Sequence, residues 1–288
     1  MKLFVLLLIV FSLSLACFGQ LSETERKWNE PVEPFRIIGN VYYVGASDIT
    51  SFLITTPKGH FLLDAGFAET VPQIKENIKR LGFKLEDVKF LLNSQSHSDH
   101  SAGFAELKNL TKATMVASEG DKSGLERGGR NDPHWGDDAS YTPVKVDRVV
   151  RDGEELSLGG SRMKAVLTPG HTPGCTTWTI NVKDKDKGKN YDVVFVCSAS
   201  VPSGYKLVGN EKYPNIVSDY EMTFRVLKTL QPDVFLGAHG VFFDLLGKAE
   251  KLRSGKEANP FIDPQGYKAY LARAEQSFRE SLAKQNRP

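Results

Sequence analysis

The chain has 288 residues, of which about 40% are hydrophobic and 25% are charged, and its formal net charge is +2. A chain of this length and composition can bury a sizeable core, arranged as one large domain or two small ones. Its basic and acidic residues are interleaved without a basic run, which excludes the usual nucleic-acid footprint, so we expect no nucleic-acid partner.

The N-terminus predicts a signal peptide over residues 1–19. A short positive start precedes residues 3–15, which are apolar apart from two serines. This run is shorter than the roughly 20 apolar residues of a membrane-spanning helix, so we expect no membrane span. Cleavage after Gly19 would release a single domain, residues 20–288, into the periplasm. Lipidation of Cys17 is the alternative that we disfavour.

Export to an oxidising compartment raises the question of disulfides. Once the signal peptide is removed, Cys175 and Cys197 remain, and both adjoin strand-like runs. We favour two buried free thiols, with a disulfide between neighbouring strands as the alternative. The choice depends on the separation of the two Cα atoms.

Along the mature chain, β-forming runs are mixed with segments of helical period. Residues 20–35, which are polar and contain proline, predict an extended arm. Residues 127–142, rich in Gly, Pro and Asp, predict a long loop, either functional or a mobile connection. We predict strands at 35–44, 51–56, 61–63, 88–92, 113–117, 144–150, 155–158, 163–167, 176–181, 192–196 and 234–236. We predict helices at 68–81, 102–107, 220–230 and 264–284.

The order of these elements predicts one α+β domain. Each half of the chain is rich in strands and is followed by helices, and no linker separates the halves. This pattern fits a four-layer α/β/β/α sandwich, with two sheets face to face and helices outside.

Four of the six histidines share one context, because each lies in a loop just past an apolar strand. His97 and His100 follow one strand, His171 follows a second and His239 follows a third. Strand ends at one edge of a sheet can meet at one site, which a rigid scaffold then supports. The histidine pattern therefore predicts a common site.

The segment that leads to His100 is dense in metal-ligand types. Gln95, His97 and Asp99 alternate, so in an extended segment their side chains point the same way, and a turn would bring in His100. A catalytic zinc takes about three nitrogen or oxygen ligands from the protein and keeps a position for water. We therefore predict one or two zinc ions per chain. The candidate ligands are Gln95, His97, Asp99, His100, His171 and His239.

The motif His97-x-Asp99-His100 resembles that of the metallo-β-lactamase superfamily. His171 in a Thr-Pro-Gly-His-Thr-Pro-Gly segment and His239 in Gly-Ala-His extend the resemblance over essentially the whole mature chain. The superfamily motif is specific for fold and metal site, and less so for substrate.

Finer features resemble the third subclass of the zinc β-lactamases. The arm around Trp28 and the loop from Gly128 to Asp137 are similar to parts of that subclass. Ser198 stands where many other hydrolases of the superfamily, such as glyoxalase II and lactonases, carry a metal-bridging aspartate. The absence of a carboxylate at this position favours the β-lactamase branch.

The resemblance implies a ligand set for each metal. Gln95, His97 and His171 would hold the first zinc, and Asp99, His100 and His239 would hold the second. Gln95 stands where most of the family has histidine, as in a glutamine variant of the subclass. A neutral amide is a weaker ligand than imidazole, so we expect weaker zinc binding at the first position and activity with one metal at the second.

The resemblance also implies zinc-dependent hydrolysis of the β-lactam amide by a metal-bound hydroxide, and hence antibiotic resistance. Asp99 would be catalytic, orienting the nucleophile, and Asp64 would help to order the metal site. The expected partner is a small β-lactam substrate, and we expect a monomer. Alternatives are an exported lactonase or thioesterase of the same fold, or a zinc-binding protein with vestigial activity. Candidate substrate contacts are Trp28, His134, Trp135, Ser198, Ser200 and Tyr205.

Overall fold

The computed structural model describes residues 21–185, 187–255 and 258–287. The predicted signal peptide, including Cys17, lies outside the described residues. Within them the chain forms two mixed β-sheets packed face to face, with helices on the outer faces. This arrangement confirms the predicted four-layer sandwich. No helix in the described part of the chain is long and apolar enough to cross a membrane.

The first sheet contains seven strands in the order in which they occur along the chain. They are β1 (Phe35–Ile38), β2 (Val41–Tyr43), β3 (Phe52–Thr56), β4 (Gly59–Leu63), β5 (Val88–Leu92), β6 (Thr114–Ser118) and β7 (Arg148–Val150). The first four strands are antiparallel, whereas β5, β6 and β7 add in parallel. Parallel neighbours need crossover connections, and helices supply them.

The second sheet contains five strands in the order β12-β11-β10-β9-β8. They are β8 (Glu155–Leu158), β9 (Ser161–Leu167), β10 (Thr176–Asp184), β11 (Lys189–Val196) and β12 (Val234–Gly237). Only the β11–β12 pair is parallel among these strands. As a result, β9, β11 and β12 run in the same direction and end at the same edge of the sheet.

Eight α-helices flank the two sheets in the described part of the chain. They are α1 (Glu23–Trp28), α2 (Val71–Arg80), α3 (Ser98–Ser101), α4 (Phe104–Thr111), α5 (Glu119–Arg127), α6 (Ile216–Thr229), α7 (Leu245–Ser254) and α8 (Pro264–Gln285). In α2, Val71, Ile74 and Ile78 are buried at helical spacing, as the sequence predicts. This face packs on the first sheet.

The main core lies between the sheets and is rich in aromatic rings. Phe52 of the first sheet meets Phe195 of the second edge to face, with ring centroids 5.0 Å apart. Successive strand residues point to opposite faces, so Leu53 is buried on the outer side of the same strand, with α2 and α4. The first sheet is therefore buried on both faces.

Several sequence predictions of local structure were wrong. Residues 35–44 form two strands rather than one, because the chain turns at Gly39, whose φ is +51°. The predicted arm contains α1, which a capping box between Ser22 and Glu25 stabilises. The predicted strand at 144–150 is regular only over Arg148–Val150.

Helix α5 was not predicted, because its two internal glycines argue against a helix. Both positions lie where another segment approaches closely. A Cβ atom at Gly120 would lie 2.4 Å from the Pro173 carbonyl oxygen, and one at Gly124 would lie 2.8 Å from Ser96 Oγ. Tertiary packing thus outweighs the cost of glycine in a helix. Helix α7 was also missed.

The two cysteines of the described chain form a disulfide, which corrects the preferred interpretation of two free thiols. Cys175 precedes β10 and Cys197 follows β11, and these strands are antiparallel neighbours. The two cysteines therefore lie at the same edge, with Cα atoms 5.9 Å apart. This separation falls within the range that a disulfide requires.

Removal of the disulfide should destabilise the fold measurably. The bridge closes a loop with a sequence separation of 22 residues, for which chain entropy predicts a stabilisation of about 3 kcal/mol. We expect the double substitution Cys175→Ala and Cys197→Ala to lower the free energy of unfolding by about this amount. Urea denaturation of the oxidised protein, the reduced protein and the double variant measures the effect. An unchanged unfolding midpoint in all three would contradict it.

Candidate metal centre

The predicted ligands lie beyond the C-terminal ends of strands, in loops except for Asp99 and His100, which lie in the short helix α3. Gln95 and His97 follow β5, His171 follows β9 and His239 follows β12. The loops from the two sheets meet at one edge of the sandwich. Trp178 of β10 joins the two sheets at this edge, because its indole Nε1 donates a 3.0 Å hydrogen bond to the carbonyl of residue 93, just after β5.

Asp99, His100 and His239 form the tightest cluster. One ligand atom from each lies within 4.8 Å of the other two. Asp99 Oδ2 lies 3.2 Å from His100 Nε2 and 3.4 Å from His239 Nε2, and the two nitrogens are 3.3 Å apart. A carboxylate and two imidazoles at these distances can hold a metal ion.

His97 and His171 lie beside each other, and Gln95 precedes His97 by two residues in the same loop. The imidazole rings of His97 and His171 have centroids 4.9 Å apart. The Gln95 side chain is fully buried, and neither atom of its amide has a hydrogen-bond partner among the described residues. Buried amides are normally paired, so this orphaned amide fits a role as ligand to an ion.

Two of the imidazoles donate a hydrogen bond from the nitrogen that faces away from the cluster. His239 Nδ1 lies 2.9 Å from Asp48 Oδ2. His171 Nδ1 lies 2.9 Å from the Ser200 carbonyl oxygen. Because these acceptors take the Nδ1 proton, the Nε2 lone pair of each ring is left for a metal.

The other two imidazoles also have an oxygen near the far nitrogen, at longer range. His100 Nδ1 lies 3.7 Å from Asp64 Oδ2, and His97 Nε2 lies 3.5 Å from Asp132 Oδ2. Asp64 also accepts hydrogen bonds from Ser94, at 2.8 Å from the backbone nitrogen and 2.6 Å from Oγ. Asp64, which the sequence predicts to order the metal site, therefore contacts both the ligand loop and one of its histidines.

Burial and neighbouring charges shift the pKa values of these groups. Burial lowers the pKa of His171 to about 3, so its ring is neutral at physiological pH. Burial also acts to lower the pKa of His239, but Asp48 and Asp99 outweigh it and raise the pKa to about 9. Burial acts to raise the pKa of Asp99, yet His100 and His239 hold it well below its usual range. A metal bound here would displace the His239 proton.

Sequence reasoning missed two aspartates that support the site. Asp48 lies in the turn before β3, and the Ile49–His239 bridge brings it beside its partner. Asp121 of α5 is buried and accepts hydrogen bonds from Thr172 Oγ1 at 2.8 Å and from the Gly174 backbone nitrogen at 2.9 Å. Aspartates in turns and at helix starts are common, so neither position carried a distinguishing signal.

Some of the predicted substrate contacts line the cluster. Trp28 meets the His239 ring edge to face, with centroids 5.6 Å apart. Ser200 is partly exposed, and its hydroxyl lies 2.9 Å from that of Ser198, which is buried.

The other predicted contacts lie on and beneath the loop that follows α5. Trp135 is 43% exposed and packs on His134, with ring centroids 4.1 Å apart. Tyr205 is only 1% exposed, and its ring centroid lies 4.8 Å from that of His134. It therefore packs beneath this loop, on the side away from solvent. Tyr141, at the far end of the loop, donates a 2.6 Å hydrogen bond to the Ser96 carbonyl. The loop is thus ordered and attached to the ligand segment.

Comparisons with known proteins agree with this geometry. The model of the metallo-beta-lactamase superfamily matches residues 44–184. The chain is 44% identical to the native FEZ-1 metallo-β-lactamase from Legionella gormanii, with a TM-score of 0.87, covering 90% of this chain and 99% of that one. It is 33% identical to the class B3 di-zinc metallo-β-lactamase LRA-12 from an Alaskan soil metagenome, with a TM-score of 0.85, covering 91% and 98%.

Several curated relatives match over shorter stretches. The chain is 29% identical over 113 residues to the mitochondrial persulfide dioxygenase of Homo sapiens, which covers 39% of this chain and 35% of that protein. The chain thus spans about a third of the length of this relative, whereas it spans nearly all of the solved β-lactamases. The chain belongs to the metallo-β-lactamase superfamily, in its subclass B3.

Proposed function

We propose that this chain is a zinc-dependent β-lactamase that hydrolyses the amide bond of the β-lactam ring. The observation that carries the proposal is the convergence of Asp99, His100 and His239 within 4.8 Å. His97 and His171 support it, because their ring centroids lie 4.9 Å apart. The chain is also 44% identical to a metallo-β-lactamase, covering 90% of this chain and 99% of that one.

We propose two metal positions. Gln95, His97 and His171 would hold the first zinc, and Asp99, His100 and His239 the second. Zinc, when bound, supplies a Lewis acid that lowers the pKa of water to about 7. The protein contributes hydrogen bonds donated by the Nδ1 atoms of His171 and His239, which fix the orientation of these two rings. The di-zinc nature of the LRA-12 enzyme supports two ions, and the neutral amide of Gln95 favours weaker binding at the first position.

Asp99 is the candidate catalytic residue. Its Oδ2 contacts the imidazoles of His100 and His239, whereas its Oδ1 has no hydrogen bond among the described residues. The side chain is 17% exposed, so it faces the open side of the cluster. The Oδ1 atom can accept a hydrogen bond from the attacking water and so orient it.

Ser200 and two tryptophans would hold the substrate. The partly exposed Ser200 hydroxyl can donate a hydrogen bond to the carboxylate that β-lactam antibiotics carry. Trp28 beside His239 and the exposed Trp135 offer apolar surface at the edge of the cluster. No carboxylate stands at Ser198, which favours a β-lactam over a lactone or thioester substrate.

We also propose that the enzyme acts in the periplasm, as a monomer. The Cys175–Cys197 disulfide supports an oxidising compartment, because disulfides rarely persist in the reducing cytosol. The apolar run at residues 3–15 supports export through a signal peptide.

Chelation should abolish hydrolysis of the chromogenic cephalosporin nitrocefin, and added zinc should restore it. In the zinc-loaded protein, we expect Asp99→Ala to lower kcat by about 10²–10⁴-fold, because the group that orients the attacking water is lost. Absorbance assays of both proteins, before and after chelation, measure these effects.

The matched control is Asp87→Ala, an exposed aspartate just before β5, whereas the ligands follow that strand at its other end. This variant should keep wild-type turnover. Hydrolysis that resists chelation would refute the metal mechanism. If the protein does not hydrolyse nitrocefin but cleaves a lactone or a thioester, it is another hydrolase of the same fold and not a β-lactamase.

Replacement of Gln95 by histidine should strengthen metal binding at the first position. Imidazole is a better zinc ligand than an amide, so we expect the dissociation constant of the weaker zinc to fall by about tenfold or more, equivalent to about 1.4 kcal/mol. Competition titration of the metal-free protein with a zinc chelator measures both constants. Gln231→His, which adds a histidine at an exposed position before β12, controls for adventitious binding. Equally tight binding of two zinc ions by wild type and Gln95→His would overturn the expectation.

A further inference from the structure

We infer that Asp132 is a positioning residue that selects which nitrogen of His97 faces the metal. The inference rests on the proposed metal centre, and it deepens it by linking the first metal position to the loop between α5 and β7. Asp132 lies on that loop, 32 residues or more from every ligand of the β5 loop, so no motif connects it to the site.

The first observation is an unsatisfied nitrogen. His97 is 8% exposed, and its Nε2 is buried without a hydrogen-bond partner among the described residues. Asp132 Oδ2 lies 3.5 Å from this nitrogen, and the Asp132 side chain is itself 11% exposed. A charge-assisted hydrogen bond is normally about 2.7–2.9 Å long, so a ring movement of less than about 1 Å would complete it.

The second observation is that the carboxylate is already held in place. Asp132 Oδ1 accepts hydrogen bonds from the backbone nitrogens of His134, at 2.7 Å, and of Trp135, at 2.8 Å. The backbone of Asp132 also pairs with Gly136 in both directions, at 2.9 and 3.2 Å. The Oδ1 atom of Asp132 is therefore hydrogen-bonded within the loop, and its Oδ2 atom is directed at His97.

The chemistry of the pair fixes the tautomer. An ionised carboxylate can only accept hydrogen bonds, and a neutral imidazole has one N–H group and one lone pair. With Nε2–H directed at Asp132, the lone pair of His97 is on Nδ1, which becomes the metal-binding nitrogen.

The substitution Asp132→Asn would reverse this preference with little change in shape. The amide oxygen of the new side chain would still accept from the two backbone nitrogens, so its amide nitrogen would face His97. An amide nitrogen donates, which would force the lone pair of His97 onto Nε2 and the proton onto Nδ1. Rotation of the amide is opposed, because it would direct the amide nitrogen at two backbone donors.

The experiment compares wild type with Asp132→Asn. Long-range proton–nitrogen NMR of the imidazole rings, on metal-free protein at alkaline pH, reports which nitrogen of His97 carries the proton. We expect Nε2–H in wild type and Nδ1–H in Asp132→Asn. The affinity is measured in a Gln95→His background, in which an imidazole replaces the weak amide ligand of the first metal position. We expect Asp132→Asn to weaken zinc binding there by about 10–100-fold.

The control is Asp137→Asn, on the same loop, where the exposed carboxylate accepts only a 2.8 Å hydrogen bond from the Asn131 backbone nitrogen. This variant should keep the wild-type tautomer and zinc affinity. Circular dichroism and urea midpoints establish that all variants fold. An unchanged His97 tautomer, or unchanged zinc affinity, in Asp132→Asn would overturn the inference. Failure of every folded variant, including wild type, to bind zinc would instead refute the proposed metal centre.

Discussion

The site depends on one property of the imidazole ring, which can present a lone pair to a metal from only one nitrogen while the other carries the proton. Each of the four clustered histidines has an oxygen near its second nitrogen, at 2.9 to 3.7 Å. Three of these oxygens belong to Asp48, Asp64 and Asp132, and the fourth is a backbone carbonyl. Two of these contacts, those of His171 and His239, are hydrogen bonds that fix the position of the ring proton. The other two place a carboxylate near the ring nitrogen at longer distance.

The negative charge of these aspartates has an energetic cost that the arrangement itself offsets. A buried carboxylate is costly unless it is hydrogen-bonded or paired. Asp64 accepts two hydrogen bonds from Ser94, and Asp48 accepts from His239 and from the Val241 backbone nitrogen. The same bonds hold the ligand loops, so solvation of the charge and positioning of the metal site are achieved together.

Sequence patterns predicted the features that depend on local periodicity. Alternating and continuous apolar runs located most strands, and the spacing of Gln95, His97 and Asp99 located the ligand segment. The disulfide and the supporting roles of Asp48 and Asp121 were not predicted, because they depend on which distant segments meet. Helix α5 was not predicted for the same reason. Its two glycines are required because backbone and side chains of distant segments approach the helix closely. The signal peptide, the monomeric state and the roles of the site residues stay predictions.

The ligands come from both halves of the sandwich, with His97 and His100 after a strand of the first sheet and His171 and His239 after strands of the second. Each proposed ligand set takes residues from both sheets, so an ion bound by either set would join the sheets as a non-covalent cross-link. Loss of that ion would remove a tie between the layers as well as the reactive centre. A shortage of zinc would then make the enzyme inactive and also more susceptible to proteases. The supply of metal would therefore set the abundance of the enzyme as well as its turnover.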